Sequence, residues 1–333
     1  MSAHRSTRHC EPCARPSTRQ SNNPQLRSSK QMRLGMIGLG RMGANMTTRL
    51  LAAGHQIVVY DRDDEAVKTA QAGGAEGAST LQQVVDALPA PRVVWVMVPS
   101  GDPTEESVMS LAELMEPGDT IIDGGNSNYG ETVRRGRVLG ERGLHFVDVG
   151  TSGGVWGIKE GYSLMIGGED EAVKALSPIF ESLAPSSELG WGHVGPTGAG
   201  HFTKMIHNGI EYGMMQAFAE GFAILKKKEE FDLDLHQIAE IWRHGSVVRS
   251  WLLDLTSEAL NQDSELADIA PFVSDSGEGR WTVAEAIDLD VPAPVITHSL
   301  LARLRSRDEV GFGDRLLSAM RNQFGGHAIK KAQ

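Results

Sequence analysis

The sequence predicts an α/β protein in two parts, an open parallel sheet flanked by helices and then a region of helices alone. Short apolar runs typical of buried strands alternate with helical patterns over the first half of the chain. Glycine-rich turns directly follow several of these runs, and beyond Lys204 the strand patterns almost stop. Strands that alternate with helices are typical of a parallel sheet with crossover helices. A chain of 333 residues is long enough for both parts.

Composition and charge narrow the classes of function. The chain is 40% hydrophobic with 38 glycines, which suits an α/β enzyme core. Its net charge of −11 argues against a nucleic-acid partner, because phosphates would be repelled. It contains no run of about 18 consecutive apolar residues, so we expect no membrane span. A small anionic ligand remains possible, since local arginines can override the overall charge.

The first 31 residues differ from the rest of the chain. They carry six Arg or Lys against one acid, Glu11, with many polar and almost no large apolar residues. Such a segment cannot bury enough surface to order itself, so residues 1–31 are predicted to be a disordered basic leader. A transit peptide and a translation start upstream of Met32 are the alternatives. The absence of apolar residues at amphipathic spacing disfavours a transit peptide.

The cysteines also lie in this leader. Cys10 and Cys13 are the only two in the chain, and a structural zinc site needs four ligands. We therefore expect no metal. A body without cysteine fits a reducing compartment, so a cytoplasmic location is expected.

A nucleotide-binding motif opens the body. An apolar strand pattern, Arg33–Ile37, leads into the G-x-G-x-x-G sequence Gly38–Gly43, and a helical pattern follows as far as Gly54. Gln56–Tyr60 is the next strand. A simple strand–helix turn is the alternative, but this βαβ context favours a Rossmann-type dinucleotide-binding domain. The cofactor contacts predicted are Gly38, Leu39, Gly40, Arg41, Met42, Gly43, Asp61, Arg62, Val98 and Asn126.

Asp61 bears on the choice of cofactor because it ends the second predicted strand, where the adenosine ribose would lie. A carboxylate there accepts hydrogen bonds from both ribose hydroxyls and repels a 2′-phosphate. Arg62 weakens this preference for NAD, since its guanidinium could bind a 2′-phosphate. The sequence predicts NAD as cofactor, with NADP disfavoured.

Three further strand patterns end in polar loops. Arg92–Val98, Asp119–Asp123 and Leu144–Asp148 are followed by loops at 99–101, 124–127 and 150–154. Ligands of open α/β sheets bind beyond the carboxyl ends of the strands, so all three loops are candidates. The pattern continues with a strand and a helix at Tyr162–Gly168 and Asp170–Leu183. Residues 32–197 are predicted to form the Rossmann domain.

Residues 198–333 are predicted to form an all-α domain for substrate binding and oligomerisation. A long helix should run to about Lys228. The other predicted helices are His236–Arg243, Val247–Leu253, Trp281–Leu289 and Val295–Ser306. The indoles of Trp242, Trp251 and Trp281 are assigned to the core.

A polar stripe lies on the long helix. Lys204, His207, Asn208 and Glu211 are spaced i, i+3, i+4 and i+7, which places them on one helix face. The helix continues through Gly213–Ala219, which looks buried. A polar stripe on a buried helix needs partners, either within the protein or from a bound polyhydroxy acid. A binding site is favoured over an exposed face or an internal network.

These motifs together resemble the 6-phosphogluconate dehydrogenase family in its shorter form. The similarity extends from Met32 to His327 and includes the segments Gly38–Gly43, Asp123–Ser127, Ser152–Gly154 and Lys204–Tyr212. Simpler β-hydroxyacid dehydrogenases share the lysine and asparagine of the last segment but lack its histidine and glutamate.

The resemblance implies oxidative decarboxylation of 6-phosphogluconate to ribulose 5-phosphate and CO₂. Lys204 matches the general base of the family and Glu211 its general acid. The residues that match those holding the sugar acid are Asn126, Ser152, Gly153, Gly154, His207 and Asn208. A non-decarboxylating β-hydroxyacid dehydrogenase is the alternative, and a non-catalytic dinucleotide-binding regulator is a remote one.

The resemblance also implies a phosphate site and an oligomer. Tyr212 and Arg303 match contacts to the substrate phosphate. Arg321 and His327 match a pair that reaches the active site of a neighbouring subunit. A homodimer or homotetramer formed through the helical domain is therefore expected.

One loop departs from the family pattern. Where the family has a lysine and a threonine near the phosphate, this chain has Ser276 and Glu278. Losing a cation and gaining an anion should weaken phosphate binding unless Arg280 or Arg303 compensates.

Overall fold

The structure, a computed structural model, describes residues 31–331. The predicted leader, with Cys10 and Cys13, lies outside these residues apart from Gln31. Within residues 31–331 no helix is both long and apolar enough to cross a membrane.

One eight-stranded sheet forms the first part of the molecule, in the order β3-β2-β1-β4-β5-β6-β7-β8. Neighbouring strands are parallel except for the antiparallel pair β6 and β7. The strands are β1 Arg33–Ile37, β2 Gln56–Tyr60, β3 Glu76–Gly77, β4 Val93–Val96, β5 Thr120–Asp123, β6 His145–Ser152, β7 Ser163–Gly167 and β8 Trp191–Gly195.

Helices flank the sheet and make up the second part, confirming the predicted fold class. The helices on and between the strands are α1 Arg41–Ala52, α2 Asp64–Ala72, α3 Leu81–Asp86, α4 Asp102–Leu114, α5 Tyr129–Glu141, α6 Gly157–Glu160, α7 Asp170–Ala175 and α8 Ser177–Leu183. The later helices are α9 Ala199–Lys227, α10 Leu235–Arg243, α11 Trp251–Gln262, α12 Glu278–Asp288, α13 Pro294–Arg305 and α14 Phe312–Gly325.

The central strands are buried on both faces, as their continuous apolar runs predict. Every residue of β4 is buried, with Trp95 in one apolar layer and Val94 and Val96 in the other. Burial on both faces fixes the sheet, so the loops at its carboxyl edge are held in place.

Two predicted boundaries in this part are wrong. Strand β6 continues to Ser152 rather than ending at Asp148, because residues 149–152 pair antiparallel with β7. The predicted helix Asp170–Leu183 is interrupted at Leu176, and Pro178 stands in the first turn of the second piece, α8. Proline lacks an N–H donor and clashes with the preceding turn, so one continuous helix is disfavoured.

Two expectations for the helical part are also wrong, and one helix was not predicted. The third helix begins at Trp251 instead of Val247, and Ser250 caps it by accepting a hydrogen bond from the Leu253 N–H at 3.2 Å. Trp251 is 48% exposed, so it does not belong to the core. Helix α14 has no counterpart among the predicted helices.

The long helix α9 connects the two parts. It packs against β6 and β7 on one side and against α12 and α13 on the other. Asp148 fixes its start by accepting hydrogen bonds from the N–H groups of Gly198 and His201, at 2.7 and 2.8 Å. The predicted boundary between residues 197 and 198 falls just before this helix and stays a prediction.

The segment of α9 expected to be buried is partly open in the single chain. Met214 and Met215 are 39% and 40% exposed, which contradicts the burial inferred for Gly213–Ala219. The apolar residues of that segment have too few partners within the described chain to be covered.

Candidate active site

A cavity of about 1450 Å³ lies where the carboxyl edge of the sheet meets α9, with residues of α11 and α12 completing its wall. Most of the residues predicted to bind cofactor or substrate line it. These are Gly40, Arg41, Met42, Gly43, Val98, Asn126, Ser152, Gly153, Gly154, Lys204, His207, Asn208 and Glu211.

The glycine loop before α1 fits a dinucleotide. Gly38 has φ +92°, and a Cβ there would lie 2.3 Å from the Met97 carbonyl oxygen. A Cβ on Gly43 would lie 1.9 Å from the Gly38 oxygen, whereas one on Gly40 would meet nothing within 4 Å. Helix α1 has no side-chain cap and no acid in its first turn, so its N–H groups are available to a pyrophosphate. This arrangement can hold the diphosphate of a dinucleotide.

Asp61 lies beside the glycine loop at the end of β2. Its Oδ2 accepts a hydrogen bond from the Leu39 N–H at 2.5 Å, and its Oδ1 accepts one from the Asp63 N–H at 2.9 Å. The neighbouring Arg62 pairs with Glu106 at 3.2 Å on the surface. Neither Asp61 nor Arg62 contributes to the cavity wall, and the same is true of Gly38 and Leu39.

The polar stripe of α9 forms one wall of the cavity, and the predicted shared face is confirmed. The Lys204 Nζ donates to Asn208 Oδ1 at 2.8 Å and lies 3.4 Å from His207 Nδ1. The same His207 nitrogen lies 3.8 Å from a Glu211 carboxylate oxygen, and the other ring nitrogen lies 3.4 Å from the Ser152 Oγ. The stripe is therefore one connected polar network that faces the cavity.

Lys204 is the most buried member of this network, with 6% of its surface exposed. Burial lowers the pKa of its amine from the usual lysine value, and the charges of Glu211 and Glu278 partly oppose that shift. A lowered pKa makes the neutral amine accessible nearer to neutral pH. Lys204 can therefore accept a proton from a bound substrate.

A buried network behind β5 holds the loop that carries Asn126. Asp123, fully buried, accepts hydrogen bonds from the Ser127 Oγ at 2.7 Å and from the Gly125 N–H at 3.1 Å. The guanidinium of Arg135 lies 3.6 Å from the same carboxylate. These contacts fix the loop from behind, so Asn126 is presented at the cavity wall.

A smaller cavity of about 310 Å³ adjoins the first and shares Asn208, Glu211 and Ser276 with it. Tyr212 and Arg303 line this second cavity. The Arg303 guanidinium lies over the Tyr212 ring, 3.5 Å from its centroid, and donates to the Ser274 carbonyl at 2.8 Å. Within residues 31–331 it has no carboxylate partner within 4 Å, so its charge is available to an anion.

Two arginines, Arg280 and Arg303, were expected to compensate for the lysine missing from the loop that departs from the family pattern, and they have different partners. Arg280 donates two hydrogen bonds to Asp275, at 3.0 and 3.2 Å, and Arg307 reaches the same carboxylate at 2.7 Å. Arg280 is thus engaged, whereas Arg303 faces the second cavity. Glu278 is 2% exposed and accepts a hydrogen bond from the Ser276 Oγ.

Two residues predicted to bind substrate, Arg321 and His327, lie away from both cavities. Arg321, on α14, is exposed, and the carbonyl of His327 accepts a hydrogen bond from the Asn322 side chain at 2.9 Å. Neither residue lines a cavity of this chain. A single chain therefore does not bring them to the other site residues.

Two residues of the main cavity wall were not predicted from the sequence. Trp251 lines the main cavity, although it was assigned to the core, and Glu278 lines it although it was expected at the phosphate end. Ser250 directly precedes Trp251 and caps α11, and a capping serine in the sequence could have indicated that this indole opens a helix.

No group of three or more His, Cys, Asp or Glu within the described part of the chain is placed to hold a metal ion. The expectation of chemistry without a metal stays a prediction.

Comparisons with known proteins agree with this architecture. Residues 33–192 match the model of the NAD-binding domain of 6-phosphogluconate dehydrogenase, and residues 200–311 match that of its C-terminal domain. The Bacillus subtilis protein YqeC is 44% identical over 90% of this chain and 100% of its own length. An NAD-dependent decarboxylating 6-phosphogluconate dehydrogenase of Haloferax volcanii is 42% identical over 90% of this chain and 99% of its own.

Solved structures give the same result for the fold. The 6-phosphogluconate dehydrogenase of Plasmodium falciparum has a TM-score of 0.76 at 29% identity, covering 90% of this chain and 67% of that one. A Mycobacterium tuberculosis 3-hydroxyisobutyrate dehydrogenase has a TM-score of 0.66 at 20% identity, covering 81% of this chain and 91% of its own, and shares the fold. With both of its domains matched in sequence, the chain belongs to the 6-phosphogluconate dehydrogenase family.

Proposed function

We propose that this protein oxidatively decarboxylates 6-phosphogluconate to ribulose 5-phosphate and CO₂, with NAD as the oxidant. The observation that carries the proposal is that the glycine loop, Asn126 and the stripe from Lys204 to Glu211 all line the same cavity. A dinucleotide site and an acid–base pair thus share one cavity, which suits a hydride transfer coupled to proton transfers.

Lys204 acts first, as a general base. A bound nicotinamide supplies the hydride acceptor for C3 of the sugar acid. The neutral amine of Lys204 takes the proton of the C3 hydroxyl, which its lowered pKa allows. Asn208 holds the amine in position through the 2.8 Å hydrogen bond.

Lys204 and Glu211 then complete the decarboxylation. The product of oxidation is a 3-keto acid, which loses CO₂ when negative charge on its keto oxygen is stabilised. The ammonium of Lys204 supplies that stabilisation. Glu211, half-buried two turns along the same helix face, delivers the proton to C1 of the resulting enediol.

The hydroxyls and carboxylate of the sugar acid are assigned to the other polar groups of the cavity wall. Ser152 and His207 already contact one another at 3.4 Å, so a substrate oxygen could bind both. The full set assigned is Asn126, Ser152, Gly153, Gly154, His207 and Asn208.

Arg303 is assigned to the 6-phosphate, together with Tyr212. Its guanidinium lacks a carboxylate partner among the described residues and lines the smaller cavity next to Glu211. Because Arg280 forms an ion pair with Asp275, Arg303 supplies most of the positive charge at the site assigned to the 6-phosphate. We therefore expect the phosphate site to depend on one arginine.

NAD is favoured over NADP. Asp61 stands at the ribose position, and Arg62 is paired with Glu106 instead of standing free for a 2′-phosphate. Relatives divide on this point, since Bacillus subtilis has both an NADP-dependent and an NAD-dependent decarboxylating enzyme at 37% identity. These two longer relatives are matched over 62% and 61% of their own lengths.

A homo-oligomer, dimer or tetramer, is proposed to form through the helical domain. Four apolar side chains of α14, Phe312, Leu316, Leu317 and Met320, are between 45% and 68% exposed in the single chain. A second copy would cover them and could bring its Arg321 and His327 to the site. Light scattering of the purified protein tests this assembly, and a monomer at working concentration would contradict it.

Trapping of CO₂ tests the activity. The enzyme should release one CO₂ for each NADH formed from 6-phosphogluconate, and gluconate should be turned over less efficiently. Arg303→Ala should remove most of that difference by weakening the phosphorylated substrate alone. NADH formation without CO₂ would instead indicate a non-decarboxylating dehydrogenase, and no turnover of either acid would refute the proposal.

A further inference from the structure

Glu278 is a buried acid at the cavity wall that the proposed chemistry leaves unused. It is the first residue of α12, is 2% exposed and lines the main cavity. Its Oε2 accepts a hydrogen bond from the Ser276 Oγ, whereas its Oε1 has no partner within the described chain. A buried carboxylate oxygen without a donor is unfavourable, so its presence in the wall calls for a role.

The N-terminal part of α12 is docked closely on α9, beside the polar stripe. Thr282 donates to the Met205 carbonyl at 2.9 Å, and a Cβ on Gly209 would lie 2.6 Å from the Thr282 methyl group. A Cβ on Gly279 would lie 2.5 Å from the Tyr212 ring. This close backbone packing leaves Glu278 little room to move, so its position beside the stripe is set by the fold.

Several charged groups belong to the elements packed around Glu278. On the loop before α12, Asp275 is neutralised by Arg280 and Arg307, and from α13 Arg303 faces the smaller cavity. The ionisable groups of α9 at this point are Lys204, His207, Glu211 and Tyr212. Lys204 is the buried cation among them.

The charge of Glu278 reaches Lys204 without a direct contact. The amine donates to Asn208 at 2.8 Å, and no ion pair joins it to Glu278 within 4 Å. Burial lowers the lysine pKa, and the charges of Glu211 and then Glu278 oppose that effect. Two carboxylates therefore stabilise one buried ammonium, and the chemistry assigns a proton transfer to only one of them.

We propose that Glu278 is a positioning residue that acts through Lys204, its buried negative charge stabilising the ammonium that forms when the amine takes the substrate proton. The inference rests on the proposed function, in which Lys204 is first a base and then a charged stabiliser. Burial alone would favour the neutral amine and weaken the second role. Glu278 neither gives nor receives a proton in this scheme.

The pH dependence of kcat/KM tests the inference. Because Lys204 must be neutral to act as a base, kcat/KM should rise as pH increases through its pKa. Glu278→Gln removes the negative charge, so this acidic limb should move to lower pH by roughly one unit. Glu278→Asp keeps the charge and should leave the limb near its wild-type position. Glu220→Gln, an equal charge change at an exposed site further along α9, should leave it unchanged.

A second measurement does not depend on turnover. The rate at which an amine-acylating reagent modifies Lys204, followed by mass spectrometry against pH, reports the neutral amine directly. It should show the same downward shift in Glu278→Gln. If that variant fails to fold, Glu278→Thr removes the same charge at the first helical position and should give the same shift.

The outcomes separate this inference from the proposed function. A wild-type enzyme that does not decarboxylate 6-phosphogluconate would refute the function, while the acylation profile would still test Glu278. The inference would be overturned if Glu278→Gln were folded and active but showed the wild-type pH dependence of kcat/KM and of Lys204 acylation. A lower KM for the phosphorylated substrate without those shifts would also overturn it, because Glu278 would then act on the phosphate.

Discussion

The two sides of the main cavity are built in different ways. Most of the predicted cofactor contacts come from about 30 contiguous residues, from β1 to Arg62, and the glycine loop among them offers mainly backbone N–H groups. The substrate side is made of side chains drawn from β6, α9, α12 and α13 and from the loop after β5. One side is local in sequence and the other is assembled by tertiary packing.

This difference predicts how each side responds to substitution. Backbone N–H groups are kept when a side chain is replaced. Substitutions on the cofactor side should therefore lower cofactor binding or stability only where the new atoms collide with the cofactor or with the protein. The substrate side depends on individual functional groups within hydrogen-bond reach of one another, so removing one group should remove one chemical step. The following predictions test that contrast, beginning with the largest effect.

Lys204→Met should abolish turnover, with a loss of about 10⁴-fold or more, because both the base and the stabilising ammonium are lost. No NADH should appear even in a single turnover, since the C3 hydroxyl keeps its proton. Rapid-mixing absorbance measures this step, and NADH binding measured by fluorescence serves as the control. Hydride transfer near the wild-type rate would show that Lys204 is not the base.

Glu211→Gln should reduce kcat by roughly 10²–10⁴-fold, because the donor of the proton to C1 of the enediol is lost. Oxidation at C3 of the sugar acid should continue. In a single turnover NADH should therefore appear before ribulose 5-phosphate. Quenched-flow sampling of both products checks the order, with Glu220→Gln as a matched control on the same helix. Near-normal steady-state turnover would make the Glu211 carboxylate structural.

Gly40→Ala should raise the KM for NAD by roughly ten- to a hundredfold, about 1.4–2.8 kcal/mol of binding. The space around Gly40 is open in the absence of ligand, and its φ of −57° suits alanine, so the variant should fold normally. Gly43→Ala should instead lower the melting temperature, because its Cβ would collide with the Gly38 oxygen. Equal behaviour of the two variants in thermal unfolding and cofactor titration would refute the steric argument.

Asp61→Asn should have the smallest effect, a change of about tenfold in the ratio of kcat/KM for NAD and NADP, near 1.4 kcal/mol. The amide keeps one oxygen for the Leu39 N–H but no longer repels a 2′-phosphate. Steady-state kinetics with both cofactors measure the ratio. A wild-type enzyme that already prefers NADP tenfold would contradict the assignment of Asp61.

The sequence predicted the glycine turn and its place at the edge of the sheet because the signals for them are local. The order strand, Gly38–Gly43, helix, strand and Asp61 fixes both the turn and its position in the sheet. The shared face of Lys204 and Glu211 was equally accessible, since helical periodicity alone places residues seven apart on one side. Both predictions needed only neighbours along the chain.

Errors arose where distant segments meet. Strand β6 extends to Ser152 because β7 returns beside it. The start of α11 is an exception, because its signal, the capping Ser250 three residues after Val247, is local. The exposure of Trp251 depends on contacts between elements far apart in sequence, and so does the position of Arg303 over Tyr212, without a carboxylate partner among the described residues. Arg280 instead binds Asp275, only five residues before it.

The sequence by itself determined the fold class, the glycine loop before α1 and the polar stripe of α9, because backbone geometry and helical periodicity act over short distances. Tertiary structure alone decided that Glu278 is buried at the cavity wall, where its charge reaches Lys204. The physical reason is that burial and electrostatic interaction depend on the distance between side chains, which only the packing of α12 against α9 sets.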